Sequence, residues 1–81
     1  IDIWINDAAV YMMGPFEQVP SEQFRSLFET NVMGVVHGSK VALAQFRKQG
    51  QGTLITVGSV AGKASYAQCS AYCASKHAVR A

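Results

Sequence analysis

Tyr72 and Lys76 stand four residues apart in Tyr72-Cys73-Ala74-Ser75-Lys76, and Ser59 lies thirteen residues upstream. On a helix, i and i+4 spacing puts a phenol and an ammonium on one face, where neighbouring side chains interact. A free phenol, with a pKa of about 10, is a poor base near neutrality, and a nearby cation favours its phenolate form. Lys76 supplies such a cation, so the pair has the composition of an activated general acid/base. Helix faces also carry Tyr and Lys at this spacing with no chemical role, and the surroundings must decide. Ser59 follows the β-rich run Thr53-Leu54-Ile55-Thr56-Val57 and Gly58. It would therefore sit where a buried strand opens into a loop at its carboxyl end, the edge along which open α/β sheets bind their ligands.

Around these residues the chain reads as one β-α-β-α passage of an α/β fold. Residues 1–5 form a short apolar run interrupted by Asp2 and closed by Asn6-Asp7, which predicts a buried parallel strand ending at a loop. Gly14-Pro15 and Val19-Pro20 punctuate the next stretch as irregular structure. Ser21 is a plausible N-cap, with Glu22 in the first turn favoured by the helix dipole. Over residues 22–48, Phe24, Leu27, Phe28, Val32, Val35, Leu43 and Phe46 recur at helical spacing and predict one helix covering the sheet. Gly50-Gln51-Gly52 ends that helix, and residues 53–57 supply the second strand. Two strands joined this way make a right-handed parallel crossover. Residues 59–68 are polar and rich in small side chains, which predicts a loop, and residues 69–81 read as the opening turns of another helix. The chain has no internal repeats or low-complexity segments.

Composition narrows the function classes. The net charge is +2, and the seven basic residues are scattered between Arg25 and Arg80 without forming a run, so nothing points to nucleic acid. No stretch has the roughly 20 apolar residues of a membrane span, and no leading segment has the pattern of a secretory signal; a cytoplasmic protein is the default. Two strands rich in Val, Ile and Leu cannot be covered on both faces by 81 residues, and the chain starts inside an apolar run and stops inside a helix. It reads as an internal piece of a longer protein. Cys69, Cys73 and His77 recur every four residues and form a helical stripe. Zinc ligands can lie at such a spacing, but structural cysteine sites usually come as close pairs on turns, and small thiols on a helix are ordinary packing residues. Reduced thiols fit a cytoplasmic enzyme. Asn31 falls inside the long helix, where Asn costs a few tenths of a kcal/mol relative to Ala, and Gly34 and Gly38 weaken the same helix by roughly 0.5 to 1 kcal/mol each. An Asn on the exposed face of a long helix would need no explanation; one with a compensating role would.

The segments Gly52-Thr53-Leu54-Ile55-Thr56-Val57-Gly58-Ser59-Val60-Ala61-Gly62 and Ser70-Ala71-Tyr72-Cys73-Ala74-Ser75-Lys76-His77-Ala78-Val79 closely resemble the serine and Tyr-x-x-x-Lys segments of the short-chain dehydrogenase/reductase family. Ile5-Asn6-Asp7-Ala8-Ala9 resembles that family's Asn-Asn-Ala-Gly motif after the fourth strand. Glu29-Thr30-Asn31-Val32-Met33-Gly34 resembles the helix segment that carries its catalytic asparagine. The four matches run in the family's order over residues 5–79.

The resemblance implies a fragment of a doubly wound Rossmann-type parallel sheet. It also implies an NAD(P)-dependent oxidoreductase that transfers hydride between a nicotinamide cofactor and an alcohol or ketone. Carried over residue by residue, Tyr72 is the general acid/base and Ser59 hydrogen-bonds the same substrate oxygen. Lys76 lowers the tyrosine pKa and binds the nicotinamide ribose hydroxyls. Asn31 opens the helix locally and holds a water that links Lys76 to solvent. Asn6, Asp7, Ala8 and Ala9 would run beside the adenosine part of the cofactor. Here the chain departs from the family, with Asp7 in place of the second asparagine and Ala9 in place of glycine, and a carboxylate cannot donate as an amide does.

The glycine-rich phosphate turn and the residue that separates NAD from NADP would lie upstream of Ile1, and the substrate loop beyond Ala81. Substrate and cofactor choice are therefore not legible, and the 81-residue chain is expected neither to catalyse nor to bind cofactor well on its own. The implied partners are a small alcohol or carbonyl substrate and, for the parent enzyme, a second or third and fourth copy, packed through helices equivalent to residues 22–48 and the one starting near Cys69. A fold-related binding or regulatory protein without turnover is the competing reading. The presence of Asn31, Ser59, Tyr72 and Lys76 together speaks against it, since a protein freed from catalysis has no chemical reason to keep all four.

Overall fold

Two parallel strands and the helical passage between them organise the chain. The computed structural model describes residues 1–63 and 69–81; residues 64–68, inside the expected loop, lie outside the described residues. Strand β1 (Ile3–Asn6) pairs in parallel with β2 (Thr53–Thr56), with Ile3 opposite Thr53 and Asn6 opposite Thr56. The ladder extends beyond both ends, since Thr53 N–H donates to the Asp2 carbonyl and Val57 N–H to the Asn6 carbonyl, each at 2.9 Å. Period-two alternation sorts the side chains: Trp4, Asn6, Leu54 and Thr56 are half-buried beneath the helical layer, whereas Ile3, Ile5 and Ile55 remain exposed on the opposite face. That bare apolar face is the one a doubly wound sheet covers with a second helical layer.

The helical passage is continuous from Ser21 to Gln49 but is not one regular helix. Helix α1 (Ser21–Phe28) gives way to a π-helical wide turn, Glu29–Met33, before helix α2 (Gly34–Gln49). Within it Gly34 N–H reaches back five residues to the Glu29 carbonyl. The wide turn inserts one residue and rotates everything downstream by about 100° relative to a single 3.6-residue period. The predicted face needs correction at one position. Leu27 and Phe46 are buried as expected, but Ala42 rather than Leu43 turns inward and Leu43 is exposed.

The expected cap at Ser21 is displaced by one residue. Pro20 holds the extended cap conformation and its carbonyl accepts Gln23 N–H at 3.0 Å and Phe24 N–H at 3.1 Å, leaving Ser21 in the first turn. Proline serves there because its fixed φ suits the extended entry and no N–H is needed. At the other end Gly50 takes φ +84° and its N–H bonds the Phe46 carbonyl at 2.8 Å, the left-handed stop that the Gly-Gln-Gly segment predicts. Helix α3 (Ser70–Arg80) begins one residue after Cys69, whose carbonyl accepts Cys73 N–H at 2.8 Å.

Gly38 explains why α2 tolerates a weak helix former. A Cβ there would stand 2.5 Å from Asn6 Oδ1 and 3.2 Å from Trp4 Nε1, so the missing side chain is what lets the helix lie against β1. Gly62 has a similar role beside α3, where a Cβ would meet the Lys76 carbonyl oxygen at 2.8 Å. Among the described residues no helix is long and apolar enough to cross a membrane.

Candidate active site

Because β1 and β2 are parallel and in register, their carboxyl ends open on the same edge. Residues 7–10 leave that edge from β1, and Val57, Gly58 and Ser59 leave it from β2. Past Ser59 the chain makes a short 3-10 turn, Val60–Gly62, within the stretch expected to be loop. Ser59 starts this turn: its carbonyl accepts Gly62 N–H at 2.9 Å and its Oγ accepts Ala61 N–H at 3.2 Å. A hydroxyl has one hydrogen and two lone pairs. Accepting from Ala61 fixes the oxygen and leaves the hydrogen free to be donated.

Helix α3 brings Tyr72 and Lys76 to this edge. Lys76 is only 6% exposed, with its Nζ 5.8 Å from the centre of the Tyr72 ring and 3.4 Å from the Val57 carbonyl, to which it donates. A buried ammonium is costly unless compensated; here a main-chain acceptor at the exit of β2 and the negative face of an aromatic ring share the charge. Tyr72 is half-buried and packs on the small cluster of Ala61, Cys69 and Cys73. On its other side Tyr11 meets it edge to face, with ring centres 4.9 Å apart.

Asn31 is not on an exposed face. It is 1% exposed, in the middle of the wide turn, and satisfies its amide on two elements at once. Its Oδ1 accepts Val10 N–H at 2.7 Å, and its Nδ2 donates to the Val10 carbonyl at 2.9 Å and to Ser75 Oγ at 3.1 Å. The wide turn thereby links the segment after β1 to α3. Among the four residues singled out by chemistry, Tyr72 and Lys76 share a helix face, Ser59 lies on the β2 exit with Val57, and Asn31 reaches α3 through Ser75.

The β1 exit divides by side chain. Asn6 is turned inward: its Oδ1 accepts Trp4 Nε1–H at 2.9 Å, and its Nδ2 donates to Ser39 Oγ at 3.0 Å and Thr56 Oγ1 at 3.2 Å. This network ties β1 to both β2 and α2. Asp7, Ala8 and Ala9 are exposed, and with Trp4, Ile5, Asn6, Gly34 and Gly38 the first two line a hollow of about 220 Å³. A larger hollow of about 620 Å³, walled by Phe16, Phe24 and Phe28 at α1, contains none of the candidate site residues.

The Cys69, Cys73 and His77 stripe separates into packing and surface contacts. Both thiols are buried and free. Cys69 Sγ lies 3.0 Å from the Tyr11 hydroxyl, and this contact, followed by desolvation, raises the Tyr11 pKa above the usual phenol value. His77 is exposed and its Nδ1 lies 2.7 Å from the Cys73 carbonyl; since that oxygen only accepts, Nδ1 carries the hydrogen. Among the described residues no group of three or more His, Cys, Asp or Glu is placed to hold a metal ion. Sequence reasoning missed Val10, Tyr11 and Ser75. Only Tyr11, a large aromatic close after the Asn6 motif, carries a type-based signal.

The chain matches the short chain dehydrogenase family over residues 1–81, and it belongs to that family. It is 43% identical over 79 residues to YusZ of Bacillus subtilis, an uncharacterized oxidoreductase, covering 98% of this chain and 28% of that protein. It is 37% identical over 81 residues to a diacetyl reductase, (S)-acetoin forming, of Staphylococcus epidermidis, covering 99% of this chain and 32% of the relative. Among solved structures, a gluconate 5-dehydrogenase from Burkholderia cenocepacia in complex with NADP and tartrate superposes with a TM-score of 0.94 at 26% identity, covering 99% of this chain and 31% of that one. The chain thus spans about a third or less of the length of these relatives, and its two-stranded passage is part of a Rossmann-type α/β sheet.

Proposed function

We propose that residues 1–81 are the central catalytic passage of an NAD(P)-dependent oxidoreductase acting on an alcohol or ketone, with Tyr72 as general acid/base. The observation that carries this reading is the buried Lys76 ammonium 5.8 Å from the Tyr72 ring centre, at the sheet edge where Ser59 follows β2. The complete activity belongs to a longer protein that adds the phosphate-binding half and the substrate loop. A homodimer or homotetramer in the cytoplasm is its proposed working form.

The residues at this edge fit a nicotinamide cofactor. Lys76 and Tyr72 offer donors to ribose hydroxyls, and the exposed, small Ala8 and Ala9 beside Asp7 let a flat ligand approach the main chain. Asn6 contributes by bracing that strand end rather than through its amide, whose hydrogens are both engaged. When bound, the cofactor supplies or accepts the hydride. In the reducing direction Tyr72 gives its proton to the carbonyl oxygen, and Ser59 donates the hydrogen left free by its contact with Ala61 to the same oxygen. Lys76 faces the phenolate that forms and offsets its charge. The proton returns from solvent by way of Lys76 and a water beside Asn31. Oxidation of an alcohol runs the same steps backwards. The relatives' names, an oxidoreductase and a diacetyl reductase, support an enzyme over a binding protein without turnover.

Lys76→Met in the full-length protein tests the assignment, because it keeps most of the buried stem and removes the charge. The expected result is a loss of about 10²- to 10⁴-fold in kcat, as for removal of acid/base assistance, together with weaker binding of NADH or NADPH by fluorescence titration. Unchanged kcat would refute the role of Lys76.

A further inference from the structure

Ser75 lies between Tyr72 and Lys76 in sequence, has no exposed surface at all, and takes no part in the chemistry proposed above. Its hydrogen bonds have only one consistent direction. Val10 N–H can only donate, so the Asn31 atom facing it at 2.7 Å must be the carbonyl oxygen. The Val10 carbonyl can only accept, so the atom facing it at 2.9 Å must be the amide nitrogen. The second hydrogen of that nitrogen is then donated to Ser75 Oγ at 3.1 Å. Ser75 accepts there, and its own hydrogen goes to the Tyr72 carbonyl at 2.7 Å. A chain of donors therefore runs from the main chain after β1, through the wide turn, to the backbone of the acid/base residue.

The Tyr72 carbonyl is also the i−4 acceptor for Lys76 N–H in a regular helix. Ser75 thus engages the main-chain link between the two residues proposed to act, and a serine back-bonded in this way adjusts the local helix geometry. An alanine would pack in the same space. It would leave one hydrogen of a buried amide without an acceptor, whereas among the described residues every buried side-chain nitrogen and oxygen has a partner.

We infer that Ser75 is a positioning residue for the reaction: its hydroxyl ties the Asn31 amide to the backbone between Tyr72 and Lys76, and so fixes the wide turn relative to the acid/base pair. The inference rests on the reading of Tyr72 as general acid/base, and the test separates the two.

The experiment compares Ser75→Ala, Asn31→Ala and the double variant in the full-length enzyme, with Tyr72→Phe alongside. Ser75→Ala is expected to lower kcat about 10- to 100-fold, as small misplacements of a catalytic constellation do, with KM for the cofactor changed by less than about twofold. The double variant should be no slower than Asn31→Ala alone, because Ser75 acts through Asn31. Wild-type kcat in Ser75→Ala, or losses that multiply in the double variant, would overturn the inference. Should Ser75→Ala fail to fold, Ser75→Cys, close in size and a weak hydrogen-bonding group, takes its place in the same cycle, where wild-type kcat or multiplying losses again overturn the inference. If Tyr72→Phe keeps its turnover, the acid/base reading falls whatever Ser75 does. If Tyr72→Phe is inactive while Ser75→Ala is normal, only the positioning role falls.

Discussion

Replacing Asn31 with aspartate keeps the size and shape of the side chain while removing both of its N–H donors. At 1% exposure the new carboxylate is cut off from bulk solvent. One of its oxygens would face the Val10 carbonyl oxygen across the present 2.9 Å contact, two acceptors in opposition. An orphaned buried acceptor costs about 1–3 kcal/mol, and an uncompensated buried charge about 3–5 kcal/mol. Two donors limit the damage. Val10 N–H still reaches the other oxygen, and Ser75 can reverse its hydroxyl, leaving the Tyr72 carbonyl to its helix partner. The expected loss near neutral pH is therefore about 3–5 kcal/mol rather than the sum, still a large share of the roughly 5–15 kcal/mol typical of folded proteins. Burial raises the folded pKa of this carboxyl above its unfolded value of about 3.9. The penalty is absent below the unfolded pKa, where both states are protonated, and grows as pH rises toward the folded pKa. Equilibrium urea unfolding of the full-length protein and its Asn31→Asp variant, at about pH 7 and about pH 4.5, reads this directly: the deficit should shrink at the lower pH. Equal stability at neutral pH, or a deficit that ignores pH, would refute Asn31 as the buried link between the β1 exit and α3.

Gly38→Ala should destabilise the protein by about 1–2 kcal/mol even though Ala is the better helix former by about 1 kcal/mol, because the new Cβ must displace the Asn6 amide from its three bonds; a gain in urea midpoint would contradict the close approach of α2 to β1. Gly50→Ala forces a side chain into φ +84° and should cost about 1 kcal/mol, with an unchanged or higher midpoint as the refuting result. Tyr11 should ionise above the ordinary phenol range, since its contact with Cys69 opposes the phenolate. The folded state then holds that proton where the unfolded chain has lost it. The Tyr11 contribution to stability is full below about pH 10 and declines as pH rises beyond it. Phenolate absorbance of Tyr11→Phe should lack a step that the parent shows above the ordinary phenol range, and an unchanged titration curve would contradict the assignment.

Local chemistry makes much of this fold legible in the sequence. Gly50 marks the end of the helical passage because a left-handed stop needs glycine, and Thr53 to Thr56 read as strand because β-branched residues bounded by Gly suit a pleated, half-buried surface. Tyr72 and Lys76 can be paired from spacing alone because helical geometry is local. The wide turn cannot be read in this way. Its i to i+5 bond is held by Asn31 reaching Val10 and Ser75, contacts across 21 and 44 residues, which no local pattern of apolar residues reveals. Asn31 stands out in the sequence as a poor helix former and through its family motif, and neither shows that Val10 and Ser75 are its partners. Asn6 stands out by motif, but the direction of its amide depends on the space left by Gly38 and on the Trp4 indole. Ser75 gives no signal, because a serine in a run of small residues looks the same whether it faces solvent or joins two buried groups.

Proton donation by Tyr72 is tested most directly by a single turnover of the full-length protein and its Tyr72→Phe variant, each loaded with reduced cofactor and mixed with a ketone substrate, following loss of cofactor absorbance. Tyr72→Phe, which gives up one donor to the ribose hydroxyls, is expected to bind cofactor more weakly but, once loaded at saturating cofactor, to lose about 10²-fold or more in the rate of hydride transfer, the smallest effect expected when a general acid is removed. Hydride transfer at the parent rate in Tyr72→Phe would contradict the claim that this tyrosine is the proton donor.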